Sequence, residues 1–463
     1  MVIFNLDSRG AQPALLDDAA GQWLTYSLLS QRVCEGAENI HALGEKPLVF
    51  LFAENNIAAA TLYLAALQAN AVIALFPAGL AGERIAHLLE IYRPLAVFGA
   101  GVPGGYEAWD KLPLPGAVLR SRFHADLHPD LALLLPTSGS TGSSKLVRLS
   151  RSAVEANAAS ITQSLSIGSE QRAGLNLPMS YSYGLSVLNS HLLAGASVLL
   201  SREGVLSRAW WSRLAEHGVS SMPGVPMVYE MLARLDFKTL APSTLQTLTQ
   251  AGGALSLPLV RRFHEIMAAR NGKLFIMYGQ TEATARISIL DHDDLTARPG
   301  SVGRAIPRGN ISIRAVDGVA SAGEIVYRGP NVMLGYADTI EDLALGDQLH
   351  GSLATGDLGV IDADGYLTIT GRLKRIVKIA GLRVNLDEIE AEARRICPAV
   401  AVERSNGLVV FAETGSEADV AELRRKLHES ALLPPTLVKV RTIAKLPTMP
   451  NGKIDLQALK DDL

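Results

Sequence analysis

The decapeptide PTSGSTGSSK, Pro136 to Lys145, sets Thr137, Ser138, Ser140 and Thr141 around Gly139 and Gly142. It follows LALLL, Leu131 to Leu135, a run apolar enough for a buried strand. Two readings suit such a loop. One is a plain surface turn, since Gly and Ser punctuate loops. The other is a phosphate cradle, in which glycines let the backbone approach while hydroxyl and N–H groups donate to phosphate oxygens. The spacing is not that of the pattern G-x-x-x-x-G-K-[ST]. Counted from Gly139, its second glycine falls on Ser144, and Leu146 follows Lys145, so a P-loop is disfavoured.

Four later stretches bear on the choice. They are MYGQTEATARIS (Met277 to Ser288), GEIVYRGPNVMLGY (Gly323 to Tyr336), the run from ATGDLG to NLDEIE (Ala354 to Glu390), and LPTMPNGKIDLQAL (Leu446 to Leu459). With the first loop, and in this order, they resemble the core motifs of the adenylate-forming superfamily of AMP-dependent synthetases and ligases. That family includes acyl- and aryl-CoA synthetases, the adenylation domains of nonribosomal peptide synthesis and beetle luciferases. The resemblance runs from Pro136 to Lys453, and the residues before Pro136 are compatible with it.

The resemblance implies ATP-dependent activation of a carboxylic acid as acyl-AMP, with release of pyrophosphate, then transfer to a phosphopantetheine thiol of CoA or a carrier protein. Such a site must bring two anions together and position the α-phosphate. On the family pattern the residues Thr137 to Gly142 hold the β- and γ-phosphates. Lys145 reads either as an added positive charge there or as a solvated lysine. Gly252, Gly253 and Ala254 in QAGGAL line the adenine, and Tyr278 offers it a flat face. Thr281 supplies a hydroxyl to the α-phosphate, and Glu282 is a hard oxygen ligand suited to Mg²⁺; the alternative is a helix start capped by Thr281. Asp357 matches the carboxylate that accepts from both ribose hydroxyls, and Arg372 an arginine at the ribose and phosphates. Lys453, in PNGKID, matches the lysine that meets charge developing in the transition state. Thr281, Glu282 and Lys453 are the catalytic candidates. For the second step, Lys374 in GRLKR occupies the hinge position. Gly381 and Arg383 in AGLR match the loop brought to the thiol tunnel, where glycine lets a pantetheine arm pass.

NLPMSYSYGLS (Asn176 to Ser186) departs from the family pattern. Tyr181 stands where a histidine often does, as a larger gate to the acid pocket. Ser182 stands where amino-acid-activating members carry an aspartate for the α-ammonium. A neutral hydroxyl cannot offset a buried cation, so an acyl or aryl acid is expected over an α-amino acid. By alignment, Gly224, Val225, Gly279 and Gln280 are further pocket candidates. A stand-alone amino-acid adenylation enzyme, a catalytically silent nucleotide-binding homologue and a luciferase-type oxygenase are the alternatives. The chain ends ten residues after Lys453, so a carrier protein is expected to be a separate partner.

These residues need a scaffold, and the bulk of the chain provides one. At 463 residues the chain should hold two to four domains at roughly 150 residues each. With 48% hydrophobic and 19% charged residues, a packed interior is expected. A net charge of −3, from 43 basic and 46 acidic residues, argues against a nucleic-acid partner. Only Cys34 and Cys397 are present, which points to a reducing cytoplasm and no disulfide framework. MVIFNLDSRG is not a secretory signal. Gln68 and Asn70 interrupt the most hydrophobic window, Ala58 to Gly79, so no membrane insertion is expected.

KPLVFLF, AATLYLAALQ and AVIALF read as strand, helix, strand, and the alternation continues, with Ser150 or Ser152 capping the helix after the hydroxyl-rich loop. This predicts parallel sheets covered on both faces. After about Pro299 short strands take over, with the hairpin signal Asp364-Gly365. From Leu386 the pattern is compact α+β. The expected fold is thus a large N-terminal α/β body, residues 1–373, with helices over its sheets and a small β-rich subdomain. A small mobile α+β domain, residues 374–463, follows it.

Overall fold

A computed structural model of the chain describes residues 3–462 apart from 113, 115, 121–124, 137–144, 318, 320–321, 380–381, 405–406, 431–436 and 449–453. The chain forms two compact units, residues 1–310 with 328–353, and residues 311–327 with 354–463. These units group packing partners; the division expected at 373/374 concerns which residues move together.

The first unit holds two large sheets. In one, Leu48–Ala53 lies parallel to Val72–Pro77 and Ala96–Phe98, and Val72–Pro77 lies parallel to Leu131–Pro136. All six residues of Leu48–Ala53 are buried, as a continuous apolar run at the centre of a parallel sheet requires. The helix Ile57–Gln68 is buried all round from Ala59 to Leu67, and Asn56 caps it by accepting from the Ala59 N–H. Asn70, at φ +58°, supplies the break before the next strand. Among the described residues no helix is long and apolar enough to cross a membrane.

The other sheet runs parallel through Ser197–Leu200, Arg172–Leu175, Ser221–Gly224, Thr247–Gln250 and Lys273–Tyr278. Ser150 caps the helix Arg151–Ser164, accepting from Ala153 N–H, while the Ser152 hydroxyl pairs with that of Ser150.

Arg148, fully buried in the strand Leu146–Ser150, spends its guanidinium on the carbonyls of Leu334, Tyr336, Leu345 and Gly346 and on Gln348. It thereby ties the strand Gly335–Ala337 and the loop after it to the sheet. Arg148→Met should cost about 3 kcal/mol or more, because several part-buried carbonyls lose their donor together. A urea midpoint within error of wild type would show the network to be dispensable.

The second unit carries a four-stranded sheet in the order Asn310–Ala315, Gly323–Arg328, Ser352–Ile361, Leu367–Arg372. Its last two strands form a hairpin turned at Gly365, φ +83°, and closed by Asp362 Oδ1, which accepts from the N–H groups of Asp364 and Tyr366. A two-stranded ribbon, Ile376–Ile379 with Leu382–Asn385, follows. A three-stranded sheet, Ala399–Arg404, Gly407–Glu413 and Val438–Ile443, packs its apolar residues against those of Leu386–Ala393 and Glu417–Ser430.

Candidate active site

In open parallel sheets, ligands bind beyond the C-terminal ends of the strands. Ser221–Gly224, Thr247–Gln250 and Lys273–Tyr278 are neighbours in register, with Gly224 opposite Gln250 and Gln250 opposite Ile276. Their ends therefore bring Gly224 and Val225, Gly252 to Ala254, and Gly279 to Glu282 side by side.

Gly252 has φ +86°, and a Cβ there would lie 2.6 Å from the Tyr181 hydroxyl and 3.2 Å from Val225 Cγ1. Its lack of a side chain thus makes room for Tyr181 as well as for the turn. The turn is closed by Gln250 Nε2, which donates to the Gly253 carbonyl at 2.8 Å, and Gly253 and Ala254 are exposed. Tyr181 is half-buried, and burial pushes its phenol above the usual range. It immediately precedes the buried helix Ser182–Ala194.

The segment after Lys273–Tyr278 folds back on itself. A Cβ on Gly279 would come 1.9 Å from the Ala285 carbonyl oxygen, and Thr284 (φ +55°) and Ala285 (φ +110°) lie in the left-handed region that non-glycine residues avoid. What holds this strained turn comes from NVMLGY, about fifty residues on. Asn331 Nδ2 donates to the carbonyls of Ala283 (2.7 Å) and Arg286 (2.8 Å), and the Thr284 hydroxyl donates to the Asn331 carbonyl at 2.7 Å. Met333 N–H donates to the Glu282 carbonyl, and the Tyr336 hydroxyl to Glu282 Oε1, both at 2.9 Å.

Thr281 does not act as a helix cap. The 3₁₀ turn Thr281–Ala283 follows Gln280, whose side chain makes no capping bond, and Thr281 Oγ1 lies 3.1 Å from Ser182 Oγ. Lys145 is half-buried, with its ammonium 4.0 Å from the centre of the Tyr336 ring, rather than freely solvated. Lys145, Tyr336 and Glu282 thus form one connected group. Tyr278 is buried, 8% exposed.

In the second unit, Asp357 and Arg372 face each other across the hairpin, with Arg372 Nε 2.9 Å from Asp357 Oδ1. Arg372 is mostly exposed and Asp357 buried, so the pair carries a positive charge to the surface over a fixed carboxylate. Lys374 is exposed in the 3₁₀ turn Leu373–Arg375. Asp387 accepts from the Arg372 N–H at 2.7 Å, and Arg375 pairs with Asp387 and Glu390. Burial pushes the Glu390 carboxyl up, against the pull of Arg375 and Arg394. Thr137, Ser138, Gly139, Ser140, Thr141, Gly142, Gly381 and Lys453 lie outside the described residues. Arg383 belongs to the strand Leu382–Asn385 by its backbone alone.

Among the described residues, no group of three His, Cys, Asp or Glu side chains is gathered to hold a metal. Mg²⁺ needs no such cage, since it is commonly held by one or two carboxylates with substrate phosphates and water. Glu282 fits that pattern: Tyr336 fixes one of its oxygens, as an outer partner orients a metal ligand.

Asn331, Tyr336 and Arg286 are site residues that sequence reasoning passed over. The available signal was a polar residue inside an otherwise apolar stretch, Asn331 before VMLG and Arg286 before ISIL.

Residues 5–337 match the family described as AMP-binding enzyme. The chain is 28% identical over 361 residues to the anguibactin system regulator of Vibrio anguillarum, with 71% of this chain covered; it spans only 34% of that relative's length. It is 28% identical over 474 residues to a feruloyl-CoA synthase of Amycolatopsis sp, covering 94% of this chain and 93% of that one. The o-succinylbenzoate CoA synthetase of Bacillus subtilis, solved in complex with its acyl-adenylate intermediate, superposes with a TM-score of 0.77 at 21% identity. That match covers 98% of this chain and 97% of the other, and shows that the fold is shared.

Proposed function

Since the chain belongs to the AMP-binding enzyme family, we propose that it activates a carboxylic acid with ATP and passes the acyl group to CoA. The acid's carboxylate oxygen attacks the α-phosphorus, pyrophosphate leaves, and the thiol then displaces AMP from the acyl-adenylate. The observation that carries this reading is the stapled turn after Tyr278. It presents the Thr281 hydroxyl and the Glu282 carboxylate together at the strand ends, held by Ser182, Asn331 and Tyr336. Groups fixed before reaction cost no reorganisation when charge develops.

In this reading Thr281 donates to an α-phosphate oxygen, and Asp357 accepts from the ribose hydroxyls with Arg372 beside it. Glu282 would hold Mg²⁺, which neutralises phosphate charge. Lys145 adds positive charge beside Tyr336. Tyr181 gates the acid pocket, with Gly224, Val225, Gly279 and Gln280 near it, and Gly252 to Ala254 and Tyr278 flank the adenine. Ser182 is committed to Thr281 and offers no charge to an α-ammonium, which supports an acyl or aryl acid. A feruloyl-CoA synthase of matching length supports CoA as the acceptor. Residues 374–463 would move as a unit between the two half-reactions.

Pyrophosphate release, screened across fatty, aryl and amino acids with ATP and Mg²⁺, tests the first step; adding CoA or a carrier protein in turn tests the second. Absence of acid-dependent pyrophosphate release would refute activation, and carrier-only transfer would replace CoA as acceptor. Glu282→Gln keeps the shape and removes the charge, so the Mg²⁺ concentration for half-maximal activity should rise about tenfold or more. An unchanged Mg²⁺ titration would place the metal on another residue.

A further inference from the structure

Arg286 is 2% exposed, and among the described residues no carboxylate pairs with it. Its Nε has no acceptor, and its Nη2 reaches only Ser186 Oγ at 3.5 Å, long for a hydrogen bond. The guanidinium carbon lies 5.0 Å from the centre of the Tyr183 ring, a contact that offsets only part of the cost of burying a charge. The backbone does not let the side chain escape, because the Arg286 carbonyl is held by Asn331 Nδ2 at 2.8 Å. A buried cation without a counter-ion is expensive unless something supplies one.

A cavity adjoins it, lined by Arg286, Tyr183, Ser186, His191, Ser221 and Met277. Two of its other polar groups, Tyr183 and His191, are already committed. The Tyr183 hydroxyl donates to Thr249. His191 Nδ1 meets the Val187 carbonyl at 2.9 Å, which makes it the protonated nitrogen and leaves Nε2 to accept from Ser221 Oγ at 3.2 Å. Burial holds His191 neutral, its pKa pulled down to about 4. Among the described residues Arg286 is thus the one charged side chain lining this cavity. Ser186 also lines a second cavity that reaches Ser182 and Thr284. Ser182 and Ser186 are four residues apart on one helix, so they share a face at a separation of about 6 Å. The path from Thr281 to Arg286 is thus one helical turn with a contact of 3.1 Å at one end and 3.5 Å at the other, about 12 Å in all.

We propose that Arg286 is a specificity-determining residue whose counter-ion is a second carboxylate at the far end of the substrate, so that the acid activated here is a dicarboxylic acid. This rests on the acid-activation reading above. One carboxylate lies at Thr281 and reacts; the other lies against the Arg286 guanidinium, within about 12 Å along that path. The bidentate fork of an arginine suits a carboxylate, and the dry surroundings strengthen the pair.

The test compares linear dicarboxylates with monocarboxylates of equal chain length, by pyrophosphate release and, separately, by equilibrium dialysis without ATP. Wild type should prefer the best dicarboxylate in kcat/KM by at least about 30-fold, the lower end expected for one partner of a buried charge pair. Arg286→Met should lose that preference and improve on the monocarboxylate, with KM for ATP unchanged. Arg286→Lys, which keeps the charge, should retain part of the preference and serves if the methionine variant does not fold. Equal activity of wild type on both acid classes would overturn the subsite while leaving acid activation standing. If no acid releases pyrophosphate, yet wild type binds the dicarboxylate and Arg286→Met does not, the subsite stands and activation falls. Absence of both binding and turnover would overturn the two together.

Discussion

Lys453→Ala should lower acyl-AMP formation by about two to three orders of magnitude, the range typical for losing one transition-state donor. As the carboxylate approaches the α-phosphorus, negative charge builds on oxygens that carry less of it in the bound substrates. A cation aimed at those oxygens therefore acts mainly in the transition state. The residues flanking this lysine form a defined platform. Thr448 and Ile454 pair as an antiparallel bridge, the Asp455 N–H donates to the Pro447 carbonyl at 2.9 Å, and Asp455 caps the helix Leu456–Asp461. These described bonds are all made by other residues, so the urea midpoint of the variant should match wild type. Near-normal pyrophosphate release by a folded Lys453→Ala protein would remove the lysine from the reaction.

Lys374→Pro should spare adenylate formation and lower thioester formation by about two orders of magnitude or more, the cost of misplacing reacting groups by about an ångström. Proline fixes φ near −65° and disfavours a helical conformation in the residue before it, here Leu373. The C-terminal side of the turn is already anchored, because Arg375 is paired with Asp387 and Glu390. In the proposed rotation Leu373 and Lys374 would absorb a large φ/ψ change, as hinges do over few residues, and the Arg372 N–H would leave Asp387. In the proposed function the first half-reaction would need Lys453 at the phosphate, and the second Gly381 and Arg383 at the thiol. One small domain cannot present both faces at once. Single-turnover assays of the two steps separate these demands. Equal loss of both steps, in a protein folded by circular dichroism, would contradict rotation about this turn, and retention of both would move the hinge elsewhere.

Much of the scaffold was legible because it follows from local rules. LVFLFA reads as a strand since every residue is apolar, and all six are buried. The break at Asn70, the cap at Ser150 and the turn at Asp364-Gly365 are each made by residues suited to that backbone geometry. Asp357 and Arg372, flagged separately, meet because the hairpin register sets them opposite each other. What the sequence did not disclose depends on contacts across long stretches of chain. Thr281 reads equally well as a helix cap until Ser182, 99 positions earlier, is seen beside it. Arg286 passes for an ordinary surface arginine in TARIS; only tertiary packing buries it. Lys145 looks solvated until Tyr336 is placed under it.

The staple between Asn331, Met333, Tyr336 and the turn 279–286 makes the transplantable module discontinuous. An engineer who exchanges residues 277–288 for those of a relative brings in a turn with two left-handed residues and leaves behind the side chains that hold it. The graft would relax, and the threonine and glutamate would lose their fixed positions. Exchanging residues 328–337 along with it carries the clamp together with what it clamps. In recombination terms, the two stretches are one block that the linear chain happens to store in two places.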